Sequence, residues 1–327
     1  MFRFFNKSLK YLIIGAGSTG ATFACFLKDA GKNVTLISKY ESVISIARKN
    51  GGIKLKSNVK GDKTYRVNIK KENQYKDKAD VIILCIRTPD MLSTIPFIEK
   101  VSHKNTVVFS ISNGFVIGHA LKNRFKNLNI LDANFVGKCR WFDRQSGEYL
   151  QLREYCELNF SPFDDSIDAK LLNTIKDDFT QAEMRTTLMS KKMFDEISFE
   201  RLITRSAFEA TCIYYDINAH QIVDEKRALF EKLCSELLVL AKKMNINVRD
   251  GFLQEYYDNF ELYKERDDAN VYSSILNDFK LNQKSEIDFL FFIVIELAKK
   301  YNVELPNYFM IAEKFKEHNT LSAYFNC

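Results

Sequence analysis

The sequence predicts an α/β fold with a mostly parallel sheet in its N-terminal part and an all-helical C-terminal part, and three observations carry that prediction. Strand-like and helix-like segments alternate through the N-terminal part. Two of the strand-like runs, residues 80–86 and 105–112, are almost continuously apolar, as strands covered on both faces must be. From residue 186 the pattern changes to long stretches with apolar residues at three- and four-residue spacing and almost no proline or glycine. The expected division is therefore 1–185 and 186–327, with a polar segment between Asp164 and Ser190 bridging the two patterns.

The first strand is read from Tyr11-Leu-Ile-Ile14, which runs into Gly15-Ala16-Gly17-Ser18-Thr19-Gly20 and then into Phe23, Ala24, Phe26 and Leu27 at helical spacing. In such a strand–turn–helix, the first glycine permits the tight turn. The second removes a side chain that would block a pyrophosphate, and the third lets the helix pack closely on the strand. Phosphates placed there meet the unpaired N–H groups of the helix N-terminus. Residues 15–20 therefore read as the phosphate-binding turn of a Rossmann-type dinucleotide domain.

The second strand, residues 34–39, ends in Ser38 and Lys39, where the adenosine ribose of a dinucleotide lies. An acidic residue there would bind the ribose 2′-hydroxyl and repel a 2′-phosphate; Ser38 and Lys39 favour NADP, and nearby Glu41 keeps NAD open. Residues 53–56 and 64–69 alternate as half-exposed strands around a turn at 58–62. The apolar strands at 80–86 and 105–112 end in Arg87 and in Asn113-Gly114, at the sheet edge that carries the ligand site in open α/β folds. In the C-terminal part, 194–215, 228–244 and 284–301 read as helices. Residues 289–295 are the most hydrophobic segment, bounded by Asp288 and Glu296 far short of a bilayer span, and read as a buried helix segment.

A chain of 327 residues is long enough for two domains with a substantial core. The net charge of +6 is spread among interspersed acids and bases, which argues against nucleic acid as a partner. The seven cysteines form no C-x-x-C pair, so neither a zinc site nor a disulfide framework is expected, and a reducing cytoplasm fits best. Cys25 and Cys85 fall in apolar segments and read as small core residues. The start, Met1 to Lys7, is too quickly interrupted for a secretory signal and reads as a lead-in. No membrane anchor is expected. The four histidines show neither metal-ligand nor triad spacing.

Taken in order, these motifs resemble the ketopantoate reductase family, which reduces 2-dehydropantoate to pantoate with NADPH. Gly15, Gly17 and Gly20 match its opening fingerprint, and Lys39 falls on its basic residue for the 2′-phosphate. Arg87 stands where the family usually has a cofactor-contacting lysine, and Asn113-Gly114 is similar to its Asn-Gly pair beside the nicotinamide. The run from Val271 through Ser273, Ser274 and Asp278 resembles the Ser-Ser-Met-x-x-Asp helix, whose second serine contacts the substrate carboxylate. Ser285-Glu286-Ile287-Asp288 resembles the Thr-Glu-Ile-Asp motif with its active-site glutamate. The resemblance implies a helical second domain of the 6-phosphogluconate dehydrogenase C-terminal type that serves substrate binding and dimerisation, so a homodimer is expected. It also implies an NADPH-dependent 2-oxo acid reductase of pantothenate biosynthesis.

The family carries a lysine and two asparagines at four-residue steps on the first helix of the second domain, whereas the matching positions here are Glu196, Glu200 and Thr204. The spacing places all three on one helical face towards the cleft. Hydride addition leaves an alkoxide that needs a proton. Two sources are open: Glu196, if protonated, and Lys192 one turn earlier, which as readily forms a surface ion pair with Glu196. Arg201 and Arg205 form a second same-face pair, suited to a substrate carboxylate or to neutralising the glutamates. The expected roles are catalytic for Lys192, Glu196, Asn113 and Glu286, and substrate-binding for Glu200, Thr204 and Ser274. The competing readings are a dehydrogenase for a cationic, opine- or amine-type substrate and a non-catalytic NADP-binding sensor.

Overall fold

The computed structural model describes residues 8–222, 224–257 and 272–325. Met1 to Lys7, Val271 and Cys327 lie outside them. The chain divides into two compact units: Met1–Ser112 with Gly118–Lys191, and Asn113–Ile117 with Lys192–Cys327.

The first unit is built on an eight-stranded sheet. Its strands are β1 (Lys10–Ile14), β2 (Asn33–Ile37), β5 (Asn68–Lys70), β6 (Val81–Leu84), β7 (Val107–Ser110), β8 (Asn129–Val136), β11 (Cys156–Pro162) and β12 (Met184–Leu188), in the order β12-β11-β8-β7-β6-β1-β2-β5. Every pairing in it is parallel except β8 with β11. The strands from β5 to β8 are the doubly wound part. β1 pairs with β2 on one side and β6 on the other, so strand order reverses at β1. Ligands bind at the carboxyl ends of strands at such a switch point, and the glycine turn comes directly after β1 there.

The strands are apolar because helices cover them: Leu12, Ile13, Ile82, Ile83, Val107 and Phe109 are fully buried. On one face, α1 (Ser18–Asp29) and α5 (Ala169–Gln181) meet through Phe179, which makes edge contacts with Tyr11, Phe23 and Phe109. The buried Tyr11 hydroxyl donates to Asp178 Oδ2 at 2.7 Å, and Lys32 Nζ donates to Oδ1 of the same carboxylate at 2.5 Å. That core polar group is therefore satisfied on both oxygens.

Two sequence expectations are corrected here. Residues 64–69 are not one strand. Val67 N–H bonds to the Tyr65 carbonyl at 2.8 Å, a three-residue turn that breaks the run. On its N-terminal side, β4 (Lys63–Tyr65) joins β3 (Ile53–Ser57), β10 (Glu148–Gln151) and β9 (Cys139–Asp143) in a second, four-stranded sheet ordered β4-β3-β10-β9. On its C-terminal side, β5 forms the edge of the main sheet. The second difference is the boundary expected at 185/186, which cuts β12; the first unit continues to Lys191 because β12 pairs with β11 from Met184 to Leu188.

In the second unit, α6 (Lys191–Tyr215), assigned to it from Lys192, and α7 (Asp224–Lys243) extend the helices expected at 194–215 and 228–244. Further helices span Ser274–Lys280, Ile293–Tyr301, Pro306–Lys314 and Ser322–Phe325. The helix expected from 284 starts later and opens with a π-helical turn at Asp288–Phe292, all five residues buried. No helix among the described residues is long and apolar enough to cross a membrane.

Candidate active site

The glycine turn shows why Gly15 and Gly20 are required and leaves the space around Gly17 open. Gly15 sits at φ +109°, and a Cβ there would lie 2.4 Å from the Cys85 carbonyl oxygen just beyond β6. A Cβ at Gly20 would lie 1.9 Å from the Gly15 carbonyl oxygen, so α1 approaches the turn as closely as backbone allows. Around Gly17 a Cβ meets nothing within 4 Å, and the residue is exposed. Gly17 is also the N-cap of α1 and offers no side-chain oxygen, so the first N–H groups of α1, at Ser18, Thr19 and Gly20, have no cap. An open approach to uncapped helix N–H groups is what a pyrophosphate requires.

The turn is braced by the second sheet. The Tyr149 hydroxyl of β10 donates to the Ala16 carbonyl at 3.1 Å, and the Ser18 hydroxyl donates to the Cys139 carbonyl of β9 at 3.1 Å. The Ser18 side-chain proton is therefore engaged, while its backbone N–H lies in the uncapped first turn of α1. Trp141 stacks on Tyr149 with ring centroids 4.0 Å apart. Burial pushes the Cys139 thiol up to about 11 and the Cys85 thiol well above its ordinary value, so both are inert at neutral pH.

At the end of β2, Lys39 and Ser38 part company. Lys39 is exposed, 3.7 Å from Asp90 in the first turn of α3 (Thr88–Val101). Ser38 is buried, its hydroxyl donating to the Tyr40 carbonyl and accepting from the Tyr40 N–H. Its side chain closes the turn after β2 and is not presented beside Lys39. Glu41 pairs with Lys71 at 3.0 Å and Arg48 at 3.8 Å. Arg87 is the N-cap residue of α3.

Asn113-Gly114 is more than a turn after a strand. The segment Asn113–Ile117 belongs to the second unit, where Phe115 N–H bonds to the Phe289 carbonyl at 3.3 Å and the Phe115 ring meets Phe199 edge-on. A Cβ at Gly114, φ +139°, would lie 2.6 Å from the Phe289 Cβ, so only glycine allows this seat. Val116 beside it holds φ 59°, costly for a β-branched residue. Glu286, just before the π-helical turn, is buried. Asp288 accepts from both the N–H and the hydroxyl of Thr320, and burial raises its carboxyl above the ordinary range despite those donors.

The face expected on α6 is divided. Lys192 is exposed, Glu196 is half-buried, and among the described residues neither has an ionic partner, so the Lys192–Glu196 pair does not form. Glu200, buried, accepts from the Arg249 backbone N–H at 2.8 Å and from Arg249 Nε at 3.0 and 3.2 Å. Thr204, also buried, bonds back to the Glu200 and Arg201 carbonyls at 3.4 and 3.3 Å. Glu200 and Thr204 are thus both buried, where the helical spacing alone placed them on an open face. A long helix inside a helical unit buries most of its circumference.

The face that reaches Ser274 is one residue round. Arg205 and Glu209 line it: Arg205 Nη2 lies 3.4 Å from Glu209 Oε1, a glutamate other than the Glu196 and Glu200 considered from the sequence. The fully buried Glu209 accepts from the Ser274 hydroxyl at 2.7 Å and from the backbone N–H groups of Ser274 and Ile275 at 3.3 and 3.0 Å. Sequence reading missed Glu209; its i,i+4 spacing from Arg205 was the only signal. Ser273 is the N-cap, accepting from Leu276 N–H at 3.3 Å.

A switch-point glycine turn with an uncapped helix, an exposed lysine at the end of the next strand and a helical second unit are the parts of a nicotinamide-dependent oxidoreductase. Family models agree: residues 11–153 match ketopantoate reductase PanE/ApbA, and residues 194–319 match its C-terminal domain. The chain belongs to the ketopantoate reductase PanE/ApbA family and is an oxidoreductase of that family. It is 25% identical over 321 residues to the 2-dehydropantoate 2-reductase of Pyrococcus abyssi and 24% identical over 315 residues to that of Lactococcus lactis, covering 91% of this chain and 94% of each relative. Among solved structures, the 2-dehydropantoate 2-reductase of Methylococcus capsulatus superposes with a TM-score of 0.78 at 16% identity, covering 94% of this chain and 96% of the other. D-mandelate dehydrogenase, in a ternary structure with NADH and anilino(oxo)acetate, superposes at 0.76 and 17% identity over 97% of this chain and 100% of the other. These likenesses show the shared fold.

Proposed function

We propose that this protein reduces a 2-oxo acid with NADPH and that 2-dehydropantoate is the first substrate to test. The observation that carries the reading is the glycine turn, open at Gly17 and uncapped at α1, on a sheet whose next strand ends in exposed Lys39. Lys39 favours a 2′-phosphate over a bare ribose. The relatives named 2-dehydropantoate 2-reductase span nearly the whole chain, which supports the substrate class.

The bound nicotinamide supplies a hydride to the ketone carbon. The residues then have separable tasks. The first N–H groups of α1 and Lys39 hold the phosphates, and Arg87 adds positive charge at the start of α3. Asn113, fixed by the seating of Gly114 and Phe115, orients the carbonyl by donating from its amide. As the carbonyl electron pair moves to oxygen, Lys192 protonates the alkoxide, with Glu196 as the alternative donor. Glu286 orders the polar surroundings or accepts from a substrate hydroxyl, and Ser274 contacts the substrate.

The test follows NADPH absorbance with purified protein and 2-dehydropantoate, with NADH as the matched control. Turnover preferring NADPH is the expected result. Tight NADPH binding with no turnover on any 2-oxo acid would favour the sensor reading instead.

A further inference from the structure

We infer that the Tyr40 ring is the stacking platform for the adenine base of the cofactor, with the neighbouring Lys39 ammonium left for the 2′-phosphate. The inference rests on the dinucleotide part of the proposed function and adds to it the residue that holds the base.

Tyr40 is 62% exposed, more than any other large apolar side chain among the described residues. An aromatic ring in water leaves its apolar faces uncovered, and this one stands just after β2, at the sheet edge where the adenosine of a dinucleotide lies. Its backbone is fixed. The buried Ser38 hydroxyl accepts from the Tyr40 N–H at 3.1 Å and donates to the Tyr40 carbonyl at 3.0 Å, so the residue is tied to the strand end through both of its backbone polar groups. Ligand binding then has only the side chain to order, which keeps its entropic cost small.

The place of the ring follows from Lys39. The Lys39 ammonium lies 5.9 Å from the centroid of the Tyr40 ring and 3.7 Å from Asp90 Oδ1. Asp90 belongs to the first turn of α3, beyond β6, whereas Lys39 and Tyr40 follow β2. β1 runs between those two strands and leads into the glycine turn. Lys39 therefore reaches across the carboxyl end of β1, and the Tyr40 ring lies beside that crossing. A nucleotide whose base rests on the ring brings its 2′-phosphate within range of the ammonium, because base and phosphate are attached at adjacent carbons of one ribose.

Stacking needs only the flat face of the base and no hydrogen bond to its edge. The two residues then divide the work: Tyr40 binds what NADPH and NADH share, and Lys39 binds what only NADPH carries.

The test measures binding of NADPH, NADH and adenosine 2′,5′-bisphosphate to the full chain by calorimetry. Tyr40→Ala, at an exposed position, should weaken all three by a common factor of roughly ten, as for removing an aromatic face from under one base. Tyr40→Phe keeps the ring and should bind all three like wild type. Unchanged affinity for adenosine 2′,5′-bisphosphate in Tyr40→Ala would overturn the inference. So would a Tyr40→Phe variant as weak as Tyr40→Ala, which would assign the contact to the hydroxyl. A loss confined to the two 2′-phosphorylated ligands would also overturn it, by making the ring a support for Lys39. Wild type that binds none of the three would overturn both the inference and the proposed function. Turnover is scored separately: the expected losses in Tyr40→Ala, with no reduction of any 2-oxo acid by wild type, would sink the reductase reading alone. Reduction of 2-dehydropantoate by wild type, with Tyr40→Ala binding all three ligands undiminished, would sink only the Tyr40 inference.

Discussion

The Tyr149 hydroxyl donates to the Ala16 carbonyl at 3.1 Å, so a strand of the small sheet holds the turn that would cradle the phosphates. Tyr149→Phe removes this bond while keeping the ring that stacks on Trp141. The turn should loosen and NADPH affinity should fall several-fold, with about 1 kcal/mol lost in stability. Fluorescence titration with NADPH and a thermal melt check both. Unchanged affinity would show that the turn is rigid without its brace.

Lys39 is exposed at the end of β2, 3.7 Å from Asp90. Lys39→Ala should raise the KM for NADPH roughly tenfold and leave that for NADH nearly unchanged, because only NADPH carries the 2′-phosphate. Equal effects on both cofactors would assign discrimination elsewhere.

Lys192 is exposed without an ionic partner among the described residues. As the proton donor, its loss in Lys192→Ala should lower kcat on the order of 10²-fold or more while NADPH affinity stays constant. A variant with full activity removes Lys192 from the mechanism and passes the role to Glu196, which Glu196→Gln then tests.

Glu200, by contrast, is spent on structure. Glu200→Ala strips Arg249 Nε of its carboxylate partner and orphans the Arg249 backbone N–H, costing about 1–3 kcal/mol. The Arg249 side chain is 60% exposed, which keeps the loss below that of a fully buried pair. The melting temperature should drop with kcat per folded molecule retained. A selective loss of kcat would return Glu200 to the substrate site.

Asp288 makes stability depend on pH. Burial raises its carboxyl above the unfolded value of 3.8, so the folded state binds the proton more tightly. Its contribution is greatest below 3.8 and is lost as pH rises through the raised folded value. Asp288→Asn should flatten the melting-temperature profile across that window. An unchanged slope in the variant would assign the dependence to other groups.

The parts of the site that were legible in the sequence are those made by consecutive residues. Gly15, Gly17 and Gly20 state a backbone requirement in their identities and spacing, and Lys39 comes after a strand whose length is plain from its apolar run. Ser38 was read as Lys39's companion because adjacency does not say which way a side chain turns at a strand end. The break at Arg66 and Val67 was invisible for a related reason. Lys63–Tyr65 and Asn68–Lys70 read as one alternating run, and only the partners of each decide that they belong to different sheets.

The sequence by itself determined the order of the two units, the mostly parallel sheet, the dinucleotide turn and the helical character of the C-terminal part, because each is written in short-range periodicity. The tertiary structure decided which face of α6 matters. A helix turns about 100° per residue, so Glu200 and Thr204 enter the packing while Arg205 and Glu209 meet Ser274, and the two sets are one residue apart on the same periodic pattern. That choice is made by what packs around the helix, namely Arg249 on one side and the Ser274–Lys280 helix on the other, both distant in sequence. Periodicity defines faces, and only the fold assigns each face a neighbour.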